Sequence, residues 1–158
     1  MSLQHLPIAA AHGHLEIVNF FLTNIEDVGS TIAMDEAATN GHMDVVQCLH
    51  KKSTEGCSPD AVDLAATNGH LDVVKYLIDN RIQVYTTKAM DGAASQGHVD
   101  VVRFLHAHSA SWTTGIKSSL TRFFDPQSIR AVCTKDAMDN AAGKGHLVVK
   151  DVPAMRLS

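Results

Sequence analysis

Histidine is the residue whose type and spacing most directly suggest chemistry in this chain, because it recurs at a fixed interval. The dipeptide Gly-His stands at 13–14, 41–42, 69–70 and 97–98, in equal steps (41 − 13 = 69 − 41 = 97 − 69), and again at 145–146. A histidine that binds zinc must lie about 2 Å from the ion, whereas equivalent residues on packed helices are about 8–10 Å apart. We therefore interpret these histidines as structural anchors that bond at the start of the following helix, and we predict no metal site.

The other nucleophilic and acidic residues fit no catalytic pattern. Cys48, Cys57 and Cys133 are odd in number and lack zinc-ligand or paired-disulfide spacing, so we expect free thiols. Aspartate recurs in the copied units at 35, 63, 91 and 139. Catalytic groups are rarely copied in every unit, so these aspartates are expected to cap or bridge neighbouring units. With no nucleophile turn or phosphate-binding loop in the sequence, we predict neither an enzyme nor a cofactor.

Composition narrows the class of protein. The chain has 158 residues, of which 45% are hydrophobic and 19% charged, as expected for one globular domain. A net charge of −4 argues against a nucleic-acid partner. The apolar runs are far shorter than the roughly 18 residues of a membrane span, and the N-terminus lacks the pattern of a signal peptide. The sequence thus predicts no membrane partner and favours a cytoplasmic or nuclear location.

The elements that carry the recurring residues are pairs of short helices. Before Gly-His the sequence reads Ala-Met-Asp-x-Ala-Ala in three of the copies, as in Ala33–Ala38, with apolar residues at helical spacing. After Gly-His comes a second apolar helix with an acidic residue in its first turn, where the carboxylate complements the helix dipole. The glycine is expected to end the first helix at positive φ. Two such helices cannot bury their apolar faces alone, so the units must stack.

The segment Ala65–Leu77, which reads AATNGHLDVVKYL, resembles the core of the ankyrin repeat. The resemblance covers most of residues 3–111. It implies an all-α, helix-turn-helix solenoid with shortened finger loops, because the unit is shorter than the usual ~33 residues and lacks the Thr-Pro-Leu-His opening. It also implies a protein partner bound through the concave face, without catalysis.

The repeat frame divides the chain into three predicted parts. Residues 1–112 hold four repeats, residues 113–133 fit no repeat, and residues 134–158 form a degenerate terminal repeat. The middle part is either an insertion that carries a partner site or a loop left by degeneration. Since the first copy lacks the Ala-Met-Asp opening, the chain is also consistent with a fragment of a longer array. The oligomeric state cannot be read from the sequence.

Candidate partner-binding residues are those that vary while their surroundings repeat. By resemblance to ankyrin arrays, the pair before each Gly-His and the residue before Ala-Ala face the partner, and we expect this surface to be polar and small. The candidates are Ala11, His12, Glu36, Thr39, Asn40, Leu64, Thr67, Asn68, Ser95 and Gln96. Two alternatives stay open: a structural segment that binds nothing, with these positions merely solvated, or a metal-binding or enzymatic domain.

Overall fold

A computed structural model of the chain describes residues 5–25, 30–80, 82, 85–115 and 143–144. Within these ranges the secondary structure consists of α-helices without strands, so the predicted all-α class is confirmed. The helices are α1 (His5–Ala11), α2 (Leu15–Asn24), α3 (Thr31–Thr39), α4 (Met43–Lys52), α5 (Pro59–Thr67), α6 (Leu71–Asp79), α7 (Thr87–Gln96) and α8 (Val99–Gly115). Each odd-numbered helix opens a repeat, and the even-numbered helix after it closes the repeat.

The chain falls into two compact units: residues 1–65 with 70–85, and residues 66–69 with 86–158. In the first unit α1 packs on α3, α2 packs on α4, and α4 packs on α6. First helices therefore lie beside first helices, and second helices beside second helices. In the second unit α7 packs on α8.

The first helices bury a face of small side chains. In α3 the side chains of Ala33, Met34, Ala37 and Ala38 are completely buried. They stand at i, i+1, i+4 and i+5, which gives one continuous stripe on a helix. Because alanine projects only a methyl group, the neighbouring helix can approach closely, and the methionine fills the remaining space.

The second helices bury larger aliphatic residues and expose polar ones. Val45, Val46 and Leu49 of α4 have no exposed surface, while Asp44 lies exposed in the first turn. Full burial of each such aliphatic side chain stabilises the fold by about 1.5–3 kcal/mol. The acidic first turn agrees with the sequence prediction for these helices.

A glycine turn joins the two helices of each repeat, as the sequence predicted. Gly41 has φ +78°; its N–H donates to Ala38 O at 3.2 Å, and the next N–H, of His42, donates to Ala37 O at 2.9 Å. This pair of bonds is the Schellman arrangement, which satisfies carbonyls left open at the helix end. The backbone conformation excludes most side chains, so the glycine is required on conformational grounds alone.

The second unit follows the same plan in α7 and α8. Ala89, Met90, Ala93 and Ala94 of α7 are buried, and Thr86 caps the helix by accepting a bond from Lys88 N at 3.2 Å. The predicted parts 113–133 and 134–158 lie outside the described residues, apart from 113–115 at the end of α8 and residues 143–144. The three-part division therefore stays a prediction.

Candidate partner-binding face

In the first four repeats, each variable pair before Gly-His divides its two members between a half-buried and an exposed position. The first member is half-buried and the second exposed in Ala11 and His12, Thr39 and Asn40, Thr67 and Asn68, and Ser95 and Gln96, whereas Gly143 and Lys144, before the fifth Gly-His, are both exposed. The two members therefore differ in what they offer a partner. The second member is exposed to a partner, while the first is half-covered by the protein.

Several of these side chains bond back to their own helix. In the first unit Asn40 Nδ2 donates to Glu36 O at 2.9 Å, and His12 Nδ1 lies 2.9 Å from Ile8 O. In the second unit Ser95 Oγ donates to Gly92 O at 2.9 Å. These bonds satisfy carbonyls near the C-terminal ends of the helices. They also hold the polar side chains in one orientation.

Thr67 has a packing role in the second unit that the repeat frame did not reveal. A Cβ built on Gly92 would overlap the Thr67 hydroxyl, so the glycine at this variable position makes room for the threonine. A bulky residue in place of Thr67 would therefore disturb packing as well as surface chemistry.

Three exposed aliphatic residues on the first helices of the first unit change the expected character of the face. Ile8 is 57% exposed, Ile32 64% and Leu64 46%, whereas Ala33 and Ala61, which directly follow Ile32 and Asp60, are fully buried. The expectation of a uniformly small and polar surface was therefore wrong in this unit. Leu64 was among the predicted partner-binding residues, whereas Ile32 was not. The sequence could have pointed to Ile32, because its position varies between repeats. Asp60 and Lys88 stand at the equivalent positions of the following two repeats.

These residues form what we call the first-helix face: Ile8, Ile32, Glu36 and Leu64. Ile8, Glu36 and Leu64 occupy the same position in successive repeats, and Ile32 lies one helical turn before Glu36 on the same side of α3. Because α1 packs directly on α3, equivalent positions on these two helices lie side by side. The face presents aliphatic side chains next to a carboxylate.

The recurring histidines connect repeats. His42 precedes α4 without any side-chain capping bond, so the predicted bond at the start of its own helix was wrong. Instead its Nε2 lies 3.0 Å from Ala11 O in the preceding repeat. Its ring also lies against Gly13, where an added Cβ would come 2.6 Å from Nδ1. His70 contacts Gly41 in the same way.

With this geometry established, comparison with known proteins identifies the family. The sequence matches the family model for ankyrin repeats (3 copies) over residues 6–88 and 55–116. The chain belongs to the ankyrin repeat family. Its fold is accordingly an all-α helical-repeat solenoid, as the sequence predicted. A search among curated proteins gave no match.

Ankyrin repeats are in general protein–protein interaction modules without catalytic activity. The described residues hold no group of three or more His, Cys, Asp and Glu side chains arranged to bind a metal ion. None of the described helices is long and apolar enough to cross a membrane.

The connections between these ankyrin repeats are held by carboxylates, in agreement with the bridging role predicted for the repeated aspartate. Asp35 Oδ1 accepts a 2.8 Å bond from Ser58 N in the next repeat. Glu55 accepts bonds from the backbone N–H groups of Ser30 at 2.6 Å and Thr31 at 3.3 Å, at the start of α3. The Ser30 N–H bond, foremost among these, lowers the pKa of Glu55. These loops are thereby fixed to the helices they join.

The thiol of Cys57 lies in one of these connections but is shielded. Its side chain is 7% exposed, and burial together with the nearby negative charge of Asp35 raises its pKa to about 12. A thiol with so high a pKa is a poor nucleophile at neutral pH. Cys57 therefore serves as a packing residue.

Proposed function

We propose that this ankyrin repeat protein binds a protein partner through the first-helix face and the exposed polar residues beside it. The observation that carries the proposal is the exposure of Ile8, Ile32 and Leu64 at 46–64% on helices whose other aliphatic and alanine side chains are almost entirely buried. Exposed apolar side chains that are grouped on one face of a protein favour protein contact at that face.

The arrangement suits a compact protein interface. Interfaces place apolar anchors at the centre, where they are fully desolvated, and polar groups around them. Here Ile32 and Ile8 would be the anchors, while Glu36 and Asn40 would supply hydrogen bonds at the edge. Because Asn40 is already bonded to Glu36 O, its carbonyl oxygen can accept a bond from the partner without much loss of conformational freedom.

The family supports the same reading. Ankyrin repeats in general bind proteins, and by resemblance the positions of Glu36, Leu64 and the variable pairs are those that contact partners. The acidic net charge of −4 fits a protein partner better than a nucleic acid. We therefore propose a non-catalytic binding module.

The test compares affinity capture by three full-length proteins from native cell extract. One is the unmodified chain, the second carries Ile32→Asp with Leu64→Asp, and the third carries Lys51→Asp on the exposed side of α4. Both variants change the net charge by −2, so the third controls for charge alone. Circular dichroism and thermal melts establish that all three are folded.

We expect the unmodified chain and Lys51→Asp to recover the same reproducible set of proteins. The Ile32→Asp, Leu64→Asp variant should recover at least tenfold less of these proteins. Equal recovery by all three proteins would show that the first-helix face is not used. If the unmodified chain recovers nothing reproducible, the chain is a structural segment without a partner of its own.

A further inference from the structure

Basic side chains in the first unit are confined to the second helices. Within the described residues of this unit, every lysine and arginine lies on α4 or α6, and these residues are Lys51, Lys52 and Lys75. The first helices α1, α3 and α5 contain no lysine or arginine, and they carry the four carboxylates of Asp35, Glu36, Asp60 and Asp63. The first-helix side of this unit is therefore negatively charged.

Two of the four carboxylates are engaged within the protein, and the other two are exposed. Asp35 accepts the bond from Ser58 N, and Asp63 is buried. Glu36 and Asp60 are exposed, and within the described ranges neither carboxylate group takes part in a hydrogen bond or an ion pair. Two negative charges on this side are thus left without a neutralising group among the described residues.

These two carboxylates alternate with the exposed aliphatic residues of the first-helix face. On α3, Ile32 precedes Glu36 by one helical turn, while on α5 Asp60 precedes Leu64 by one turn. The bond from the loop before α5 to Asp35 of α3 holds the start of α5 beside α3. An aliphatic side chain and a carboxylate therefore follow each other in opposite order on two neighbouring helices.

Resting on the proposed function, we infer that the first-helix face binds a basic segment of its protein partner, in which aliphatic side chains alternate with lysine or arginine. A partner that covers Ile32 and Leu64 also removes water from Glu36 and Asp60. A carboxylate that loses water without gaining a partner is costly, so the covering segment must bring cations to both positions. An acidic segment is rejected by repulsion between like charges, even where its aliphatic residues fit.

The first test uses three synthetic amphipathic peptides as probes. The peptides share leucines at helical spacing and differ only at their polar positions, which are lysine, glutamine or glutamate. Fluorescence anisotropy measures the binding of each peptide to the full-length chain. We expect the lysine peptide to bind about tenfold more tightly than the glutamine peptide, and the glutamate peptide to bind least. Equal binding of the three peptides would overturn the inference.

Two matched pairs of substitutions locate the preference for the lysine peptide. Glu36→Gln with Asp60→Asn removes both charges beside the aliphatic residues and should weaken binding of this peptide about tenfold, to the level of the glutamine peptide. Glu16→Gln with Asp79→Asn makes the same change in charge at exposed positions of α2 and α6, and should leave the preference intact. Equal losses with the two pairs would contradict a site at Glu36 and Asp60.

Ile32→Asp with Leu64→Asp separates docking on the face from general attraction between charges. This variant is more acidic, so general attraction would strengthen its binding of the lysine peptide, whereas docking on the aliphatic residues predicts that binding is lost. Retained or tighter binding would overturn the inference. Capture from cell extract judges the proposed function separately. If proteins are lost with this variant but fully recovered with Glu36→Gln and Asp60→Asn, the proposed function stands and the basic partner is ruled out.

Discussion

The ring of His42 lies against the Cα of Gly13, one repeat before it, so closely that a Cβ at residue 13 would come 2.6 Å from Nδ1. Gly13 is thus constrained by its own positive φ and by the histidine of the next repeat. The same relationship joins Gly41 to His70 in the first unit and Gly69 to His98 in the second.

Replacing Gly41 with alanine should destabilise the protein more than the same change at Gly56. Both residues have positive φ, +78° and +72°, so each substitution costs about 1–2 kcal/mol in backbone strain. A Cβ at Gly41 also meets the His70 ring at 2.6 Å, whereas a Cβ at Gly56 meets nothing within 4 Å. Overpacking should add about 1–3 kcal/mol at Gly41. Urea unfolding measures both costs, and equal values would contradict the contact.

A double-mutant cycle should show that Gly13 and His42 are energetically coupled. Gly13→Ala introduces a clash with the His42 ring, and His42→Ala removes both the ring and its bond to Ala11 O. In the double variant the clash is absent, so the loss of unfolding free energy should fall short of the sum of the single losses by about 1 kcal/mol or more. Additive losses would mean that the two residues act independently.

Glu55 should make the stability of the chain depend on pH in the acid range. In the folded state its pKa lies below the ordinary value of 4.5, chiefly because of the bond from Ser30 N, with the Thr31 N–H as a further donor. A lowered folded pKa means that the stabilisation is present above pH 4.5 and is lost as the pH falls through the folded pKa. Glu55→Gln should therefore lower the urea midpoint at neutral pH and have a much smaller effect once the pH is below that folded value.

Glu16 provides the matched control for this pH series, since it is an exposed glutamate in the first turn of α2. Glu16→Gln removes the same charge without removing a bond between repeats. If Glu55→Gln and Glu16→Gln gave the same dependence on pH, the bonds to Ser30 and Thr31 would not be the cause.

Cys57 should resist alkylation in the folded chain. Burial and the negative charge of Asp35 raise its pKa to about 12, so very little thiolate exists at neutral pH. We expect iodoacetamide to modify Cys57 on the order of a hundredfold more slowly than in the urea-unfolded chain. Peptide mapping by mass spectrometry distinguishes it from Cys48. Modification at the unfolded rate would show that the site is open.

Much of this architecture could be predicted from spacing. The constant interval and the Ala-Ala and Val-Val patterns indicated the helix pairs, and the glycine position indicated the turn. The partner of His42 could not be found in the same way, because its bond to Ala11 O joins two different repeats and depends on how one repeat lies on another. A histidine beside a helix start suggests capping of that helix, but here the stacking of the repeats places the ring against the preceding repeat.

The residues of the candidate face could likewise be predicted only in part. The repeat frame marked Leu64 and Glu36 as variable positions, but it could not give their exposure. Ile32 was not among the predicted residues because it lies one helical turn before the variable position next to Ala-Ala, on the same exposed side of α3. The packing of Thr67 on Gly92 likewise depends on two residues in different repeats.

The contacts of Gly13, Gly41 and Gly69 with the histidine of the following Gly-His pair have a consequence for how a gene of this kind can change length. In each contact the glycine belongs to one copy of the repeat and the histidine belongs to the next copy. Duplicating or deleting a whole block leaves each glycine facing the histidine of whichever block follows, so no contact is lost. An insertion within a helix or the glycine turn would shift the glycine or the histidine out of place. Array length can therefore evolve in whole steps, while the helices and the turn of each block are held to a fixed length.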